Sequence, residues 1–75
     1  MEIRVKLMGL LKQHTPPEGR LDVSEGATLD DVLTALQIEP DRVQVFTVNG
    51  TLVRDRSYQL SSGDELIVLP PVGGG

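Results

Sequence analysis

The chain has 75 residues, 39% of them hydrophobic and 3% aromatic, with one histidine and no cysteine or tryptophan. That length supports one small core, burying about 60% of the unfolded surface, which excludes a second domain. The composition excludes disulfides, cysteine-ligated metals, multi-histidine metal sites and cysteine nucleophiles, and a net charge of −4, spread evenly along the chain, argues against nucleic acid or an anionic membrane as partner.

Glu2 to Met8 alternates, with Ile3, Val5 and Leu7 on one side and Glu2, Arg4 and Lys6 on the other. This is a strand with one buried face. Gly9 to Gly19 holds Pro16 and Pro17 and forms a connection with room for one helical turn at Leu10 to Gln13. Arg20 to Ser24 alternates again through Leu21 and Val23, which predicts an antiparallel partner for the first strand. At Thr28 the period changes from two to about three and a half. Thr28 suits an N-cap, Asp30 and Asp31 sit where the helix dipole favours negative charge, and Leu29, Val32, Leu33 and Leu36 make one apolar stripe. Pro40 is the expected stop.

Val43 to Val48 predicts a strand, Asn49-Gly50 a tight hairpin turn, and Thr51 to Val53 the short return. Asp55 to Ser62 reads as a polar connection with Tyr58 and Leu60 as buried anchors. Ser62-Gly63-Asp64 predicts a turn, and Glu65 to Leu69 is a strand apolar on both faces, hence central in its sheet. The order β-β-α-β-β-β gives a mixed α+β domain over residues 1–69, with a tail, Pro70-Pro71-Val72-Gly73-Gly74-Gly75, over residues 70–75.

The two prolines lack backbone donors and stiffen the exit from the last strand. The three glycines have no side chain to pack, so they are free to thread a narrow channel in another protein. Extended, six residues span roughly 20 Å. A glycine-rich end fits a plain terminal tail as well; its place directly after a central strand and a Pro-Pro pair favours a functional end. One helix covers only one sheet face, so apolar surface is left over, and Phe46 and Val48, with one set of side chains from the last strand, are the expected exposed docking patch. His14 in its loop carries no expected role. Asp30 and Asp31 diverge by about 100° on a helix and make no metal pair. A nucleophilic triad needs a pocket that so small a chain has little interior to line. The longest apolar run, Leu66 to Leu69, is too short to span a bilayer, which predicts a soluble, untargeted protein, and a chain without cysteine suits the reducing cytoplasm.

Glu25-Gly26-Ala27-Thr28-Leu29 before the helix, Val48-Asn49-Gly50 at the hairpin, Gly63-Asp64-Glu65 before the last strand, and Leu69-Pro70-Pro71-Val72-Gly73-Gly74-Gly75 at the end together resemble the ubiquitin-like sulfur carriers. That family comprises the molybdopterin-synthase small subunit and the thiamine-biosynthesis sulfur carrier, and the ending is closer to the former. The resemblance covers nearly the whole chain and implies a ubiquitin-like β-grasp fold. It also implies a carrier rather than an enzyme, with no metal or cofactor bound by this chain. A ubiquitin-activating-type adenylating enzyme would use ATP to convert the Gly75 carboxylate to an acyl-adenylate, and a sulfur donor would turn that into a thiocarboxylate. The thiocarboxylate would deliver sulfur inside a molybdopterin-synthase large subunit or a thiazole synthase. In this reading Gly73 and Gly74 give clearance, and Pro70, Pro71 and Val72 contact the partners. Family members typically end in two glycines and this chain in three, so either Gly73 takes the position of the small residue that often precedes the pair or the end is trimmed to Gly74. Two readings of other classes remain: a protein modifier forming isopeptide bonds with lysines, and a non-covalent β-grasp binding module.

Overall fold

A computed structural model describes residues 1–71. The alternation of Glu2 to Leu7 produces β1 (Glu2–Leu7), with Ile3, Val5 and Leu7 buried and their neighbours exposed. A 3₁₀ helix, Gly9–His14, follows and buries Leu11; β2 (Arg20–Asp22) then pairs antiparallel to β1.

The helix α1 (Leu29–Ala35) begins at Thr28, whose hydroxyl accepts from the Asp31 N–H at 3.2 Å while the Asp31 carboxylate accepts from the Thr28 N–H at 2.9 Å. This reciprocal cap satisfies two backbone donors that the first turn leaves unpaired. Asp31 is therefore a capping residue as well as a charge at the helix start. Leu29, Val32, Leu33 and Leu36 all enter the core.

The stop is not Pro40. Gln37 adopts φ +60°, the Gln37 N–H donates to the Thr34 carbonyl at 3.1 Å, and the Ile38 N–H donates to the Leu33 carbonyl at 2.9 Å. This is a Schellman end, sealed by buried Ile38; Pro40 instead opens a short 3₁₀ turn, Pro40–Arg42. A glutamine in the left-handed position gives no sequence signal, because glycine is the residue that usually marks it.

β3 (Val45–Val48) and β4 (Thr51–Val53) are joined by Asn49 and Gly50 at φ +52° and +85°, the two left-handed residues of a hairpin turn. β5 (Glu65–Leu69) lies between β1, to which it is parallel, and β3, to which it is antiparallel. The sheet order is β2-β1-β5-β3-β4, so the last strand is central, as its two apolar faces require.

Two expectations about burial fail. Phe46 and Val48 are 2% and 3% exposed and belong to the core under α1. Registers Phe46↔Val68 and Val48↔Leu66 put them on the same sheet face as the buried side chains of β5. Tyr58 is 40% exposed, and Leu60 alone anchors its connection. The backbone of Tyr58 does the anchoring that its ring does not: its carbonyl accepts from the Leu29 N–H at 3.2 Å.

Candidate functional site

Because β5 is central, its C-terminal end is held on both sides before the chain leaves the sheet. The Gln44 N–H donates to the Leu69 carbonyl at 2.8 Å, and the Met8 N–H donates to the Val68 carbonyl at 3.2 Å. Pro70 then abuts the turn after β1. Gly9 has φ +56°, and a Cβ there would stand 3.0 Å from Pro70 Cγ, so any side chain would push against the proline ring. The exit of the chain is thus pinned to the first turn of the 3₁₀ helix. Pro71 is exposed. Val72, Gly73, Gly74 and Gly75, on which the expected chemistry falls, lie outside the described residues.

The sheet face opposite α1 supplies the apolar surface expected of Phe46 and Val48. Registers Lys6↔Ile67, Thr47↔Ile67 and Thr47↔Leu52 make one row across four strands, and Val45↔Leu69 lies beside it toward the exit. Val45, Thr47, Ile67 and Leu69 are partly exposed and Leu52 is 55% exposed. Arg4, Arg20 and Lys6 extend this face toward β2, with Arg4 opposite Arg20 and Glu65. The result is an apolar strip, flanked by cations, that runs to the point where the chain leaves the fold.

A concavity of about 480 Å³ lies beside the exit, walled by Leu10, Leu11, His14, Arg42, Pro70 and Pro71. Another, about 380 Å³, sits at the start of α1 among Thr28, Asp30, Asp55, Arg56 and Ser57. Its contents are mutually satisfied. Arg56 reaches Asp30 at 3.4 Å, and the Asp55 carboxylate accepts from both the Ser57 hydroxyl at 2.6 Å and the Ser57 N–H at 2.9 Å. Those two bonds hold the Asp55 carboxyl below the usual carboxylate range, the hydroxyl contributing more. Among the described residues no group of three or more His, Asp and Glu side chains is placed to hold a metal, and no helix is long and apolar enough to cross a membrane.

One polar lock fixes the far end of β5. Asn49 Nδ2 donates to Asp64 Oδ1 at 2.8 Å, Asn49 Oδ1 accepts from the Glu65 N–H at 2.9 Å, and Asp64 Oδ2 accepts from the Ser61 N–H at 2.7 Å. The sequence segments Val48-Asn49-Gly50 and Gly63-Asp64-Glu65 are therefore two halves of one contact.

A mixed five-stranded sheet crossed by one helix, with a central last strand leading to the exit, defines a ubiquitin-like β-grasp domain. The sequence model of the ThiS family matches residues 5–75, and the chain belongs to that family. In structure the chain is similar to SAMP1 from Haloferax volcanii, with a TM-score of 0.73 and 26% identity over 100% of both chains. It is likewise similar to a chain in the complex of subunits 1 and 2 of molybdopterin-converting factor from Helicobacter pylori 26695, with a TM-score of 0.61 and 25% identity over 100% of both chains. No curated protein sequence matches it.

Proposed function

We propose that the chain is a sulfur carrier whose reacting group is the main-chain carboxylate of Gly75, serving the biosynthesis of molybdopterin. The observation that carries this reading is the family match, which runs unbroken from β1 through the three terminal glycines. An adenylating partner supplies ATP. A Gly75 carboxylate oxygen attacks the α-phosphorus, the bond to pyrophosphate breaks, and the acyl-adenylate so formed carries a good leaving group where the carboxylate had none. Sulfide from a donor then attacks the carbonyl carbon, AMP leaves, and a thiocarboxylate remains. Gly73 and Gly74 give clearance in the partners' channels, while Pro70, Pro71 and Val72 contact the partners. The catalytic groups, the nucleotide and its metal belong to the partners, and the setting is the cytoplasm.

The subunit pairing named for the Helicobacter pylori complex supports a synthase large subunit as the enzyme that receives the tail. The docking face in this reading is Val45, Thr47, Leu52, Ile67 and Leu69, which is partly exposed and contiguous with the exit. The similarity to SAMP1, also called small archaeal modifier protein 1, supports a second reading: the same activated carboxyl is passed to lysine amines of other proteins. Intact-mass spectrometry after incubation with the adenylating enzyme, ATP and sulfide tests the first. A gain matching one oxygen replaced by sulfur is the expected result. Lysine-linked high-mass adducts without that species would transfer the assignment to the modifier reading.

A further inference from the structure

Resting on the carrier reading, we infer that the groove beside Pro70 and Pro71 is a second grip for the adenylating partner, and that it takes a segment presenting an apolar side chain next to a carboxylate. The groove lies at the base of the reacting tail, walled in part by Pro70 and Pro71. Leu10 on its wall is 86% exposed, more than any other large hydrophobic side chain among the described residues, and it sits on a 3₁₀ helix whose other leucine, Leu11, is buried. A leucine left in water at a turn is a ready anchor point for a partner.

Charge fixes the other half of the occupant. The chain is acidic overall, yet the lining of this groove holds Arg42 and His14 and no acidic side chain. Lys12 lies on the same 3₁₀ helix. The one ion pair among the described residues joins Arg56 to Asp30, so the Arg42 guanidinium has no carboxylate partner among them and keeps its donors for one brought from outside. An apolar wall with a guanidinium at its side fits an incoming aliphatic or aromatic residue adjacent to Asp or Glu.

Position gives the grip a consequence. The Gly9–Pro70 approach and the Met8 to Val68 hydrogen bond tie the groove wall to the exit of the chain. A partner that clasps Leu10 and Arg42 therefore also fixes the heading of Pro70 and Pro71. The tail then enters the active site from a defined direction instead of searching for it.

Adenylate formation is followed by ATP–pyrophosphate exchange with the full chain as varied substrate, comparing wild type with Leu10→Ser and Arg42→Glu. Both positions are exposed, and an unchanged thermal midpoint confirms that the variants fold. The expected result is a rise in KM for the chain of about tenfold or more for each variant with kcat altered by less than about twofold. Unchanged KM in both variants overturns the grip while leaving the carrier reading intact. Absence of any exchange with wild type overturns the carrier reading itself. A concentration-dependent dimer of wild type in light scattering, abolished by Leu10→Ser, would overturn the inference by assigning the groove to a second copy. In a direct binding titration with the adenylating enzyme, a Kd defect that both variants show in the full chain and lose when all chains lack Val72 to Gly75 would overturn it by assigning the groove to the chain's own tail.

Discussion

Asn49 and Asp64, fifteen residues apart, clamp the hairpin between β3 and β4 to the start of β5 through a 2.8 Å side-chain hydrogen bond. Asp64 is the one buried charged residue among those described, at 8% exposure, and its second oxygen is taken by the Ser61 N–H. Asn49 also holds φ +52°, a conformation asparagine tolerates better than most residues. Truncating either side chain strands polar groups, so Asn49→Ala and Asp64→Ala each cost about 1–3 kcal/mol. The double variant should lose less than the sum, by about 0.5–3 kcal/mol. Urea unfolding of the four proteins measures it, and strict additivity would mean the clamp carries no energy.

The two faces of β3 separate stability from docking. Phe46→Ala removes a buried ring and should cost about 3–5 kcal/mol, comparable with roughly 3–5 kcal/mol that a core of this size supplies in total. Leu52→Glu changes the exposed face and should shift stability by less than about 0.5 kcal/mol while abolishing partner binding in a pull-down. A stable Phe46→Ala variant that fails only in binding would reverse the assignment of faces.

The helix end gives a stabilising substitution. Gln37 sits in the left-handed region at a strain cost of roughly 1–2 kcal/mol, and glycine there would lose roughly 0.5–1 kcal/mol of chain entropy instead. Gln37→Gly should therefore raise stability by about 0.5 kcal/mol or more, read as a higher urea midpoint at unchanged slope. A lower midpoint would show that the glutamine side chain stabilises the helix end by more than the strain it carries.

Asp55 should titrate below the ordinary aspartate range in an NMR pH series, because the Ser57 hydroxyl and N–H stabilise its charged form. A carboxylate depressed in the folded state favours folding at pH above its unfolded pKa. The advantage disappears as pH falls through the lowered folded value, so the window is acidic. Ser57→Ala, which removes the hydroxyl bond, should move the midpoint back up; an unmoved midpoint would dismiss the hydroxyl as the cause.

Much of this was readable from residues. The alternation of Ile3, Val5 and Leu7, the Thr28 cap and the Asn49-Gly50 turn each have a local physical cause, and each appears where the sequence puts it. The face assignment of β3 and β5 is different, since both strands are apolar on both sides. It is decided by pairing: β1 has one polar side, and registers Val5↔Leu66 and Leu7↔Val68 carry that choice across the sheet. Thr47 was a usable clue, because its hydroxyl marks the Val45/Thr47 side as the wetter one. The Gly9–Pro70 approach joins residues far apart in the chain and left no trace in composition, whereas the terminal glycines did.

Whether the Gly75 carboxylate carries the reaction is read by fragmentation mass spectrometry of the C-terminal peptide. After incubation with adenylating enzyme, ATP and sulfide, the sulfur-for-oxygen mass change should localise to Gly75, and a chain ending at Gly74 should acquire none. Full activation of the shortened chain, or sulfur found on any other residue, would contradict it.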